Sequence, residues 1–366
     1  MIDILVIGSG IIGLWVAYLA SKSGLTTVVC EKTTNFGDGI SGRNSGVLHS
    51  GIYYPPNSQK AKHCIQGYYK SIDFFESAEI PYLICGKLIT TGIDTFSSED
   101  EKLERLKALY ENGKANGVDD MGFIEDPGKK YPYVNGKHGI YIERTGVVDV
   151  ATYLKRLYFL CEQEGVVFLK KREFWDAIDT NKMVLKTKGK DEYEEVHTKF
   201  VVNAGGLYCD DVVSKFGISG YEIRPNKGEY YRLTKSLPYK TLIYPLPSHS
   251  STALGVHYTF NLADECYAGP NSNWANNKED YTFQTARIEY YESLKNILSC
   301  YSKEDLVEGY VGLRPRLFYK GESVKDFTIL NQPSNAIHLL GIESPGLTSS
   351  PSIATEVIEM VKGFSD

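Results

Sequence analysis

Apolar and polar positions switch between two periods along this chain, and the N-terminal stretch shows the switch most sharply. Residues 3–7 (DILVI) are β-rich and apolar after Asp3, as a strand reads when both of its faces are covered. Residues 14–22 then follow helical spacing, and Gly24 supplies a natural stop. A second β-rich run, residues 26–30, ends in Glu31. Further on, Asp149 opens a helical stretch to about Glu164, Gly165 ends it, and residues 166–169 read as a strand. Residues 200–206 are an apolar strand running into Gly205-Gly206, while 338–350 read as strand and glycine loop, with a helix from near Ser352 to Val361. Between these lie a helix over 57–79 and a capping box, Ser98 to Glu101, that opens a helix to about Asn116. Residues 221–270 show short runs fit for an antiparallel sheet, 280–299 look helical, and 309–330 return to strands. No fixed period repeats and no low-complexity linker appears, so the pattern predicts an α/β chain with an antiparallel α+β part threaded into it.

The first turn carries chemistry. Gly8-Ser9-Gly10-Ile11-Ile12-Gly13 is G-x-G-x-x-G between strand and helix, and Glu31 follows the third glycine by 18 residues. Gly8 permits the tight turn, Gly10 lets a pyrophosphate approach the backbone, and Gly13 lets helix and strand pack closely. Free N–H groups at the helix start would bind phosphates, and Glu31 would accept hydrogen bonds from a ribose diol. This predicts a dinucleotide site and leaves NAD and FAD both open. With no second fingerprint and no paired cysteines, one dinucleotide must do the redox chemistry, which a flavin can do alone. The helix start near the C-terminal glycine loop offers N–H donors and a positive dipole end to a developing anion.

Composition narrows the remaining classes. A chain of 366 residues suggests two domains at about 100–200 residues each. A net charge of -6 gives no electrostatic reason to expect nucleic acid, so an acidic substrate would need a locally basic pocket. Seven scattered cysteines without a C-x-x-C pair read as reduced thiols in a cytoplasmic protein, and the histidines show no metal-ligand spacing. Neither a G-x-S-x-G elbow nor a G-x-x-x-x-G-K-[ST] loop is present. The apolar run over residues 2–20 lacks a basic flank and is broken by glycines, which argues for a buried strand and helix over a targeting segment or span. A peripheral contact at the inner face of the membrane stays open.

Taken together, Gly8 to Gly13, Glu31, Asn203-Ala204-Gly205 and the C-terminal glycine loop resemble the FAD-dependent oxidoreductases of the D-amino-acid oxidase superfamily, over essentially the whole chain. A finer resemblance, to L-2-hydroxyglutarate dehydrogenases and oxidases, rests on Gly42 to Tyr54, Cys85-Gly86-Lys87-Leu88, Lys227 to Tyr231, Leu254 to His257 and Gly341 to Leu347. The resemblance implies a Rossmann-like FAD-binding domain from residues 1–55, 145–215 and 325–366, interleaved with an antiparallel-sheet substrate domain from 56–144 and 216–324. It also implies cofactor contacts at Ser9, Ile12, Lys32, Gly42, Arg43, Asn44, Ser45, Gly46, Val47, Ala204, Gly205, Gly341, Gly346, Leu347 and Thr348, beside the glycines of the first turn. Small residues in such a loop let backbone N–H groups face the cofactor.

Oxidising a 2-hydroxy acid needs a hydride acceptor, a base for the hydroxyl proton and a cation for the carboxylate. The resemblance assigns the first to FAD and makes His257 the leading base, with His49 second. Arg314, in Gly312-Leu313-Arg314-Pro315, resembles the arginine that clamps substrate carboxylates in related oxidases. A second carboxylate, as in 2-hydroxyglutarate, would need a further donor, for which Tyr53, Lys87, Lys227 and Tyr244 are candidates. Two features depart from relatives. Ala253 stands where related amine oxidases carry a lysine that helps oxygen react, which favours a quinone or another electron carrier over oxygen; no cysteine in 312–316 could tether the flavin, so FAD is expected without a covalent bond. The competing expectations are another oxidoreductase of the superfamily, acting on an amino acid, sarcosine or glycerol 3-phosphate, and a non-catalytic FAD-binding protein.

Overall fold

A computed structural model describes residues 1–93, 97–247 and 254–363. Its first sheet is built outward from β1 (Ile2–Ile7), which lies parallel between β2 (Thr27–Glu31) and the second half of strand Tyr193–Asn203. Strand Val167–Lys170 adds parallel beyond β2, and Ala336–Leu340 adds parallel beyond Tyr193–Asn203. The sheet therefore grows in opposite directions from β1, and in such sheets ligands sit beyond the carboxyl ends of the strands at that point.

Both faces of β1 are covered, which explains its unbroken apolar run. Ile4 and Val6 join a core shared with α1 (Ile11–Lys22) and α2 (Gln59–Ser77), while Leu5 and Ile7 pack with Val28, Phe174 and Met183 on the other side. α2 comes from the stretch that the sequence places in the substrate part, yet Tyr68 and Phe75 belong to this core.

Two helix starts differ from the sequence reading, each for a physical reason. α1 begins at Ile11, ahead of Leu14, because the third fingerprint glycine is itself helical: a Cβ on Gly13 would stand 2.0 Å from the Gly8 carbonyl oxygen. The C-terminal helix, Gly346–Gly363, begins ahead of Ser352 and contains Pro351. Proline cannot donate to the carbonyl four residues back, that of Leu347, and the Ser350 hydroxyl donates to it instead at 2.8 Å.

Among the described residues the second sheet has ten strands around the long antiparallel pair Tyr221–Leu233 and Leu306–Tyr319. Farther along it, His257–Phe260 pairs with Leu242–Pro245, which runs parallel to Lys87–Thr90. Helix is found at Arg287–Lys295 but not over 280–286, because that segment spends its polar groups elsewhere. Asp280 and Thr282 bond Lys227, and Thr285 bonds Glu229.

Candidate active site

A cleft of about 1550 Å3 runs from the first turn to the second sheet. At one end Gly8, Gly10, Ile12, Glu31 and Lys32 line it. Gly8 has φ +97°, and a Cβ there would meet the Ala204 carbonyl oxygen at 2.7 Å, so this turn requires glycine. Ser9 lies behind the wall and orients the acid: its N–H and hydroxyl donate to Glu31 Oε2 at 2.9 and 2.8 Å, while Thr33 donates twice to Oε1. The Lys32 ammonium sits over the Tyr208 ring, 3.1 Å from its centre.

The glycine-rich segment forms the middle of the cleft. Arg43, Asn44, Ser45 and Val47 line it, opposite Ala204 and Gly205. Gly42 and Gly46 stand behind, where a Cβ would meet the carbonyl oxygens of Gly37 at 2.7 Å and Val148 at 2.8 Å. Asn44 fixes the turn by donating to Ser41 O and accepting from Gly46 N–H. The start of the C-terminal helix closes this region, with Gly346 and Leu347 in the wall. Thr348 lies behind them, its hydroxyl accepting from His49 N–H at 3.0 Å and donating to Val47 O at 3.3 Å. Gly341, at φ +66°, packs against Leu317 away from the cleft.

At the far end the structure brings together His49, Tyr53, Tyr244, His257 and Arg314. His257 is buried and stacks on Tyr244, ring centres 3.7 Å apart. Its Nδ1 lies 2.9 Å from Gly255 O, so Nδ1 carries the proton and Nε2 keeps its lone pair. Burial pulls this imidazole down to about 3; the bond to Gly255 opposes that, and the charges of Lys87 and Arg314 add to it. His49 is likewise pulled to about 3, by burial and then by Lys87 and His257. Its Nε2 pairs with Ser344 Oγ at 3.2 Å, and its Nδ1 is buried without a partner among the described residues. Both rings are thus neutral and able to take a proton. Arg314 donates only to neutral acceptors, Asn226 Oδ1, Lys227 O and Asn271 O, and forms no ion pair among the described residues.

Two expected substrate donors fall elsewhere. Lys227 is wholly buried with its Nζ on Asp280 at 3.0 Å and Thr282 O at 2.9 Å, so its ammonium is committed there and does not reach the cleft. Lys87 lies behind Tyr53 and Tyr244, which line the cleft while it does not. Ala253 is outside the described residues. Sequence reasoning missed Lys60 and Arg316, which line the cleft and share Glu343 Oε1, each at 2.8 Å. The period of two along Leu306–Tyr319, which sets Arg316 on the same face as Arg314, could have found one of them. No cluster of three or more metal-ligating side chains occurs among the described residues.

A glycine turn at the switch point, continuous with a chamber holding two neutral imidazoles beside an unpaired guanidinium, fits an elongated cofactor whose phosphates and redox ring lie far apart. Such an arrangement defines a dinucleotide-dependent oxidoreductase. The sequence profile described as DAO, FAD dependent oxidoreductase, matches residues 3–360, and the chain belongs to that family, with FAD as its cofactor. It is 29% identical to the L-2-hydroxyglutarate dehydrogenase of Indibacter alkaliphilus, over 98% of each chain. It is 30% identical to the mitochondrial L-2-hydroxyglutarate dehydrogenase of Arabidopsis thaliana, over 97% of this chain and 82% of the relative. Among solved structures, the L-alpha-glycerophosphate oxidase from Mycoplasma pneumoniae with FAD bound superposes with a TM-score of 0.88 at 24% identity, covering 99% of this chain and 94% of the other. The glycine oxidase from Geobacillus kaustophilus gives 0.80 at 17% identity with the same coverage. At these identities the two structures speak for the shared fold. No helix among the described residues is long and apolar enough to cross a membrane.

Proposed function

We propose that the protein oxidises L-2-hydroxyglutarate, or a close 2-hydroxy acid, to the 2-oxo acid. The observation that carries this reading is Arg314: a guanidinium in the cleft wall, bonded to neutral acceptors alone, electrostatically coupled to a neutral His257. A carboxylate supplies the missing negative charge with two parallel hydrogen bonds. The names of the relatives support the choice of acid.

In this reading Arg314 fixes the C1 carboxylate and so orients C2. His257 Nε2 takes the hydroxyl proton as C2=O forms, and the hydrogen bond to Gly255 keeps the ring in that tautomer. His49 is the alternative base, through its unpartnered Nδ1. FAD, when bound, supplies the acceptor for the hydride that leaves C2. Its phosphates would lie at Gly10 and the start of α1, its ribose at Glu31, and its ring along Asn44 to Val47 and Gly346 to Leu347, without a covalent bond. Residues 1–55, 145–215 and 325–366 would form the cofactor part, and 56–144 with 216–324 the substrate part. A quinone or another electron carrier would take the electrons onward, because Ala253 replaces the lysine that helps oxygen react in related amine oxidases.

The test is anaerobic addition of L- and D-2-hydroxyglutarate to the purified yellow protein while flavin absorbance is followed. Bleaching by the L acid is expected; bleaching by an amine or amino acid alone would sink the reading.

A further inference from the structure

Lys87 is a cation for which the reading above has no use. It is wholly buried, and its Nζ meets no hydrogen-bond acceptor among the described residues. It faces two ring surfaces instead, Tyr53 at 4.6 Å and Tyr244 at 5.0 Å from their centres. The titratable groups around it are Cys64 from α2, His49 and Tyr53 from the glycine-rich segment, Tyr244 from Leu242–Pro245 and His257 from the strand beyond. Its partners across the sheet, Leu242 and Ile142, are apolar. None of these is a carboxylate. Burial holds the amine far below its ordinary range, at about 7, with Cys64 opposing. Arg314 aside, Lys60 and Arg316 hold Glu343, and Lys227 holds Asp280.

A buried ammonium with no counter-charge is disfavoured, so above about pH 7 the amine is mostly neutral until an anion approaches. Tyr53 and Tyr244 line the cleft, so an anion lodged against them lies close to Lys87 in a low-dielectric region where attraction is little screened. The Tyr53 hydroxyl is also buried and meets no partner among the described residues, a donor awaiting an acceptor. A monocarboxylate spends its charge on Arg314. A second carboxylate would find both the free hydroxyl and the amine behind it.

Building on the reading under Proposed function, we propose that Lys87 is a positioning residue that selects 2-hydroxy acids bearing a second carboxylate. The Tyr53 hydroxyl donates to that carboxylate, while Lys87 takes one proton from solvent as the dianion binds and returns it when the dianion leaves. No bond of the substrate is made or broken in this step.

The experiment uses the FAD-loaded protein at pH 8 in weak buffer with an indicator dye, and two non-reacting probes, glutarate and butyrate. Glutarate should draw in about one proton per site and butyrate none, while Lys87→Met should abolish the uptake. In the same variant, the ratio of kcat/KM for L-2-hydroxyglutarate to that for L-2-hydroxybutyrate should fall at least about 30-fold, as loss of a buried charge partner predicts. If the variant fails to hold FAD, the wild-type contrast between glutarate and butyrate decides alone. Equal uptake with both probes, uptake that survives in Lys87→Met, or an unmoved ratio overturns the inference and leaves 2-hydroxy acid oxidation standing. A flavin that neither hydroxy acid bleaches overturns both.

Discussion

Two regions of the second sheet bury polar groups in opposite ways. Around Lys227 and Glu229 each buried charge is answered: Lys227 by Asp280 and Thr282, Glu229 by Asn271, Gln284 and Thr285. Around Lys87, which is equally buried, Lys87 Nζ, Tyr53 OH and His49 Nδ1 meet no partner among the described residues, and the half-buried Arg314 meets no anion. A matched network holds strands in place and asks nothing of a ligand. An unmatched one is costly to maintain unless something enters to complete it, so the contrast separates scaffold from site.

The sharpest test of that contrast is His257→Ala, which should slow flavin reduction by about 10²- to 10⁴-fold. Arg314→Ala should act mainly on binding; stopped-flow reduction at varied substrate concentration separates the two, and an unchanged single-turnover rate in the histidine variant removes it as base. In the matched region the order reverses. Asp280→Ala leaves a buried cation alone and should cost about 3–5 kcal/mol of stability in denaturant titration. A loss below about 1 kcal/mol would erase the contrast.

A smaller effect of opposite sign is expected at Lys87. Its amine falls from the usual 10.5 to about 7 on folding, so between those values the unfolded chain binds more protons and stability rises with pH. Below about 7 the cost is present in full. Lys87→Met should therefore raise the melting temperature most near pH 6, by about 2–4 °C per kcal/mol recovered, with the gain shrinking toward pH 10. A gain that does not vary with pH would mean the methionine merely packs better. The least change is expected in the acid limb of the reduction rate: with both imidazoles held near 3, the profile should stay flat through the ordinary histidine range, and a half-point at about 6.5 would contradict their burial.

The dinucleotide end was legible because its chemistry is local. Gly8, Gly10, Gly13 and Glu31 lie within one βαβ unit, and their spacing alone predicts the glycine turn that the structure forms. The far end of the cleft is not local: Tyr53, in a turn, meets Tyr244, His257 and Arg314 from three strands of the second sheet, so only the resemblance brought them together. Lys87 and Lys227 both sit in tyrosine-containing β-rich runs beside glycine, and nothing in those runs tells them apart. Asp280 does, but it falls where helical periodicity was read too far toward the N-terminus. Pro351 hid the true start of the last helix in a similar way, since the hydroxyl that replaces its missing donor belongs to a neighbour that reads as loop.

The hydroxyl of Thr348 joins segments that lie 299 and 301 residues apart in sequence. It clasps the backbone at Val47 and His49, and its carbonyl oxygen lies so near Gly67 that a Cβ there would come within 2.2 Å. A chain lacking this threonine keeps Gly8 to Gly13 but loses the clasp. If the flavin ring lies along Asn44 to Val47, as proposed, removing the helix Gly346–Gly363 should leave a polypeptide that stays colourless.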